Sequence, residues 1–185
     1  MEGLIWVNQN LHSNVLFNHI VKIITLLGDM GIIWIALAIC LLCFKKTRLS
    51  AVVMLVSLAV GFLINDFVLK QLFNRPRPFE VNGEFVTFLN SIKLQLPFGN
   101  SFPSGHTFSS FNCATILTCF SKKSGWLVYP LASAIALSRI FLCVHYPTDV
   151  LVGAILGVLT AIAVYVIYKK VCAILKAKQR QKVRQ

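Results

Sequence analysis

The chain of 185 residues is 57% hydrophobic and only 13% charged, with a mean hydropathy of +0.75, whereas a soluble domain is about 45–50% apolar and about 25% charged. Too little charge is present to dress a water-facing surface, which excludes an ordinary soluble globular protein. The charges are also lopsided, 18 Lys and Arg against 6 Asp and Glu for a net charge of +12, narrowing the partners to nucleic acid, an anionic membrane surface or a phosphorylated substrate.

Residues 1–19 carry Asn8, Gln9, Asn10, His12, Asn14, Asn18 and His19, too many amides and imidazoles to cross hydrocarbon. Leu4, Val7, Leu11 and Val15 recur at three- and four-residue intervals, the pattern of an amphipathic helix lying in the interface. Glu2 stands where a signal peptide has its basic start, so a cleaved leader is not expected. A hydrocarbon core of about 30 Å needs roughly 20 apolar helical residues. Ile20–Phe44, Leu49–Phe73, Trp126–Val144 and Asp149–Tyr168 meet that need, and Ser104–Phe120 is a shorter, more polar candidate. The expected fold is therefore all-α, a polytopic membrane helical bundle of about five transmembrane helices plus an N-terminal interfacial amphipathic helix. No repeat or long linker divides it, so residues 1–185 read as one domain: an interfacial segment (1–19), the bundle (20–168) and a basic tail (169–185).

Six cysteines lie mostly inside apolar runs and read as small apolar residues. Cys40 and Cys43 have a CxxC spacing, but leucines fill the gap and no second ligand pair is near, so no metal site is expected. Lys45, Lys46 and Arg48 follow the first span, Lys122 and Lys123 the third, and Lys169, Lys170, Lys176, Lys178, Arg180, Lys182 and Arg184 the fifth. All fall on one side of the membrane, which the positive-inside bias makes cytoplasmic. The tail abuts a span and has no aromatic residue to stack a base, so anionic lipid and not nucleic acid is its expected partner.

Topology does not explain Lys70, Arg75, Arg77 and Arg139, which fall at or near the outer ends of spans. A cation at membrane depth is costly unless paired or facing a polar cavity, so Lys70 and Arg139 are functional candidates; Lys70 can also pair with Asp66 one turn earlier. Phe102-Pro103-Ser104-Gly105-His106-Thr107 precedes the third span. Ser104 can cap that helix, Gly105 lets a ligand approach the backbone, and the first N–H groups with the positive helix end make an anion site. Between the fourth and fifth spans His145 is followed by Pro147 and Asp149. Asp149 can take the Nδ1 proton of His145 and free Nε2 as nucleophile or base, or serve as a carboxylate at a helix N-terminus. Two histidines, a carboxylate, several cations and a helix end on one face make up the inventory for phosphoryl transfer.

These stretches resemble the type 2 phosphatidic acid phosphatase superfamily of membrane phosphatases, related in site design to vanadium-dependent haloperoxidases. The first motif reads Lys70-Gln-Leu-Phe-Asn-Arg-Pro-Arg77-Pro78, the second runs from Pro103 to His106, and the third is Ser138-Arg139 with His145 and Asp149. The resemblance runs from about the first span to the last. It implies that His145 is the nucleophile forming a phosphohistidine, that Asp149 orients it, and that His106 protonates the leaving group. Lys70, Arg77 and Arg139 would hold the phosphate with the Ser104 hydroxyl and the Gly105 N–H, without a cofactor or metal. Arg75 is outside the motif and is left as a rim cation or lipid head-group contact.

The segment from Phe79 to Asn100 reads either as an outer loop lying on the membrane beside the path of a lipid tail, or as a loop packed on its own apolar residues. Either way the substrate is expected to be a membrane lipid phosphate. Small bacterial members of the family resemble this chain in length, and many dephosphorylate undecaprenyl diphosphate on the outer face of the cell membrane. That is the leading expectation, with a broader phosphatidate or phosphatidylglycerophosphate phosphatase as the alternative. A soluble haloperoxidase does not fit five spans, and a non-catalytic lipid-binding protein would need no His145–Asp149 pair.

Overall fold

The computed structural model describes residues 2–184; Met1 and Gln185, the outermost residues of the predicted interfacial segment and tail, lie outside them. Helix α1 (Glu2–Leu11) is followed by α2 (Val15–Gly28), whose start is set by Asn14: its side chain accepts the Phe17 N–H at 3.0 Å. The first span thus begins five residues before the expected Ile20. It is also broken midway. A 3-10 turn, Asp29–Gly31, holds Met30 at φ 50° and Gly31 at φ 69°, and α3 (Ile32–Leu42) restarts beyond it.

Helix α4 (Arg48–Phe62) runs into a π-helical stretch, Leu63–Leu69, and then α5 (Lys70–Phe73), which stops at left-handed Asn74. Short helices α6 (Pro78–Val81) and α7 (Gly83–Ser91) form the outer segment. Three further helices complete the bundle: α8 (Gly105–Phe120), α9 (Gly125–Phe141) and α10 (Pro147–Arg184). Among the described residues four segments are long and apolar enough to cross a bilayer: Val15–Leu42, Arg48–Val81, Lys122–Phe141 and Pro147–Lys182. Helix α8, the fifth predicted span, has 16 residues, about 24 Å at about 1.5 Å per residue. It is the central post, packed by α4, α9 and α10, and it is buried on most sides.

Small residues permit that packing. A Cβ at Gly157 would lie 2.4 Å from the Phe108 carbonyl oxygen, one at Gly153 2.8 Å from that of Ser104, and one at Gly61 2.6 Å from the Phe108 ring. Gly157→Ala must therefore push α10 off α8, and a loss of about 1–3 kcal/mol is expected, read as a lower unfolding temperature in detergent. Around this axis Trp34, Met54, Ile116 and Ile135 form the core, with the Trp34 indole N–H donating to Ser110 Oγ at 3.0 Å. Apolar residues such as Ile39, Val56, Leu151 and Leu159 point outward and form a lipid-facing belt.

A second cluster, Leu4, Phe85, Phe88, Leu89 and Leu142, caps the outer end. Leu4 is therefore packed inside protein and not dipped into lipid as its spacing predicts, while Leu11 and Val15 are exposed. Of the two readings of Phe79–Asn100, packing on its own apolar residues describes most of the segment. Lys22 pins its far end by donating to the Ile92 and Lys93 carbonyls at 2.8 and 2.9 Å. The tail continues α10 as helix, so the last element extends well beyond the expected Tyr168.

Candidate active site

The turn joining α9 to α10 is built around His145. Cys143 at φ 54° reverses the chain, and the Val144 and His145 N–H groups donate to the Arg139 carbonyl at 3.2 and 3.3 Å. His145 is thereby held at the end of α9, 2% exposed. Its Nδ1 lies 3.5 Å from Asp149 Oδ2 and 3.4 Å from Ser101 Oγ. Asp149 is itself fixed: Ser101 Oγ donates to Oδ2 at 2.5 Å, the Tyr146 N–H donates to Oδ2 at 2.9 Å, and Arg75 donates to Oδ1 at 2.7 Å. On the other side of the ring, Nε2 faces Arg77 Nη1 at 3.1 Å. A proton on Nδ1 toward the carboxylate leaves the Nε2 lone pair to accept from Arg77.

Burial is the main force on His145 and pushes its pKa down from 6.5; Arg77 and Arg139 act the same way, against Asp149. The fold therefore holds the ring neutral at neutral pH. The same shift has a sign for stability. A histidine held neutral by the fold takes up a proton on unfolding, so its contribution is present above about pH 6.5 and is lost as the pH falls. The unfolding temperature is expected to drop between about pH 7.5 and about pH 5.5, with a shallower slope in His145→Gln.

Arg77 is 3% exposed and is wired to the outer loop, donating to the Gly99 carbonyl at 2.7 Å and the Phe98 carbonyl at 3.1 Å. Arg139 is equally buried: one terminal N–H reaches Thr25 Oγ1, and Nε has no partner. Lys70 makes the predicted pair with Asp66 at 2.5 Å. A Cβ at Gly105 would lie 3.6 Å from Lys70 Nζ and 3.4 Å from Asn65 Nδ2, so the glycine opens the helix N-terminus to this cation. Ser104 stands at the N-cap but makes no capping bond with its side chain; its hydroxyl accepts from Thr107 Oγ1 at 3.0 Å. That corrects the expected cap.

Sequence reasoning missed three features. His106 Nε2 lies 2.6 Å from Asp29 Oδ1, carried there by the broken first span. Gly28 makes room, since a Cβ there would sit 2.8 Å from His106 Cδ2. Asp29 belongs to no motif, yet a carboxylate between Gly28 and Gly31 within an apolar run is a signal in the sequence. Ser101 gave no local signal. Arg75, expected at the rim, instead pairs with Asp149 and stacks 4.0 Å over the Tyr146 ring.

Lys70, Arg77, Gly105, His106, Arg139 and His145 all line one cavity of about 700 Å³, while Ser104 and Asp149 stand behind its wall. Its remaining wall is largely apolar, with Ile35, Leu55, Leu58, Ala59, Phe62 and Phe108 between α3, α4 and α8. A polar end crowded with cations thus opens onto a hydrocarbon-like chamber.

Comparison with known proteins agrees with this geometry. Residues 50–172 match the model of the PAP2 superfamily. The chain is 37% identical over 121 residues to the bacitracin transport permease protein BcrC of Bacillus licheniformis, covering 65% of this chain and 56% of that protein. It is 32% identical over 126 residues to an undecaprenyl-diphosphatase of Sulfolobus acidocaldarius, covering 68% and 58% respectively. The match therefore spans little more than half the length of these relatives. The crystal structure of Aquifex aeolicus LpxE superposes with a TM-score of 0.69 at 26% identity, covering 89% of this chain and 93% of that one. The matched stretch carries all three motifs, those motifs bring their charged residues to one cavity or directly behind it, and the chain belongs to the PAP2 superfamily.

Proposed function

We propose that the protein is an integral membrane lipid phosphatase whose substrate is undecaprenyl diphosphate, converted to undecaprenyl phosphate. One observation carries the reading: the cavity joins the cations Lys70, Arg77 and Arg139 to an apolar chamber within the bundle. The cations suit a phosphate group, and the chamber suits a lipid chain. The likeness to an undecaprenyl-diphosphatase supports the same choice.

In this mechanism the Nε2 lone pair of His145 attacks the terminal phosphorus, and the phosphorus–oxygen bond to the leaving group breaks. Lys70, Arg77, Arg139 and the Gly105 N–H neutralise the charge on the equatorial oxygens. His106 gives its proton to the leaving oxygen. Water then attacks the phosphohistidine while His106 takes the proton back, releasing phosphate and restoring His145. Asp149 holds the tautomer, with Ser101 and Arg75 fixing Asp149. The positive-inside bias of the basic residues supports a site on the extracytoplasmic face of the cell membrane with the tail in the cytoplasm.

Asp29 acts through His106 as a positioning residue, holding the ring by its contact with Nε2. Asp29→Asn is expected to lower kcat about 10–100-fold with alkyl phosphates and far less with an aryl phosphate, whose leaving group needs no proton. Equal losses on both would show a purely structural role.

The substrate is tested by phosphate release in detergent with excess chelator, comparing undecaprenyl diphosphate with phosphatidylglycerophosphate and phosphatidate. Chelator-resistant release that is fastest from undecaprenyl diphosphate is expected. Preference for phosphatidate or phosphatidylglycerophosphate would move the assignment to the broader lipid phosphatase, and no release from any lipid would refute it.

A further inference from the structure

Helix α8 presents a stripe to the cavity that the chemistry at its top does not use. Gly105, Ser109 and Asn112 recur at four- and three-residue intervals and all line the cavity, so they lie on one face of the helix. Seven residues separate Gly105 from Asn112, placing the asparagine about 10 Å deeper at about 1.5 Å per residue. Asn112 is fully buried, and neither its Nδ2 nor its Oδ1 has a hydrogen-bond partner.

Buried amides are almost always hydrogen-bonded, and leaving one unsatisfied in an apolar setting costs free energy. Asn112, bordering a chamber otherwise walled by Leu55, Leu58 and Phe62, calls for a ligand.

We propose that Asn112 forms a second polar subsite beneath the phosphate cradle, its Nδ2 donating to a hydrogen-bond-accepting oxygen of the leaving group. Two sources carry such oxygens: the inner phosphate of a diphosphate, and the ester carbonyls of an acylated glycerol. A polyprenyl monophosphate carries none beyond its ester bond. The inference rests on the reading of the cavity as a lipid phosphate site, and it makes Asn112 a determinant of which lipid is chosen.

The test measures kcat/KM of wild type and Asn112→Leu in detergent on polyprenyl diphosphate, polyprenyl monophosphate and dioleoyl phosphatidate. About a tenfold loss is expected on the diphosphate or on phosphatidate relative to the monophosphate. Loss on the diphosphate identifies phosphate oxygens as the occupant, and loss on phosphatidate identifies ester carbonyls. Equal losses on all three substrates, or none, would overturn the proposal. Should Asn112→Leu fail to fold, Asn112→Ala, which removes the amide without adding bulk, is held to the same comparison. Wild-type protein that releases phosphate from no lipid would refute the functional reading itself, a result distinct from failure of the subsite.

Discussion

His145→Ala is expected to reduce lipid phosphate release by roughly 10⁴-fold or more, because loss of a nucleophile removes the covalent route altogether. The protein should still insert and fold. The imidazole is buried, but its partners survive the truncation: Asp149 keeps Ser101, the Tyr146 N–H and Arg75, and Arg77 keeps the Gly99 and Phe98 carbonyls. A near-wild-type unfolding temperature with abolished turnover separates a catalytic role from a structural one. Turnover surviving in this variant would remove His145 from the mechanism.

Arg139→Met is expected to lower kcat by about 10²–10³-fold, the effect of losing one preorganised charge proposed to face the transferring phosphoryl group. Stability should move the other way. Arg139 is buried, its Nε is unpartnered, and the contact it makes in the structure is with the neutral Thr25 hydroxyl. A buried cation without a contacting carboxylate is costly to hold, and an apolar residue of similar length is often neutral or stabilising. An unchanged or raised unfolding temperature alongside the fall in kcat identifies Arg139 as a group retained for chemistry. A large fall in stability would mean that it is a packing element.

The two outcomes differ because the residues are held differently. His145 sits in a turn held by backbone hydrogen bonds, whereas Arg139 projects from the last turn of α9 to the cavity wall.

Much of the site was legible in the sequence because its residues come in short fixed spacings. Arg139, His145 and Asp149 lie within eleven residues, and Ser104, Gly105 and His106 are consecutive. Such spacings become geometry as soon as the helix ends are known. Partners from distant segments carry no such signal. Asp29 meets His106 across 77 positions, Arg75 meets Asp149 across 74, and Ser101 meets Asp149 across 48. Hydropathy likewise located the apolar segments but not the break at Met30 and Gly31 or the π-helical stretch before Lys70. Those two irregularities aim Asp29 and Asn65 inward, and a window average over apolar residues smooths them away. The central role of α8 was hidden too: buried on most sides, it has no solvent-exposed polar face to give it a period.

The claim on which the account depends is a covalent phosphate on His145. Wild-type protein in detergent is mixed with lipid labelled in its terminal phosphate, quenched in alkali within a turnover and digested for peptide mapping. The account predicts an acid-labile, alkali-stable label on the peptide that contains His145, absent from His145→Ala. Label on another residue, or full turnover with no labelled protein at any quench time, would contradict it.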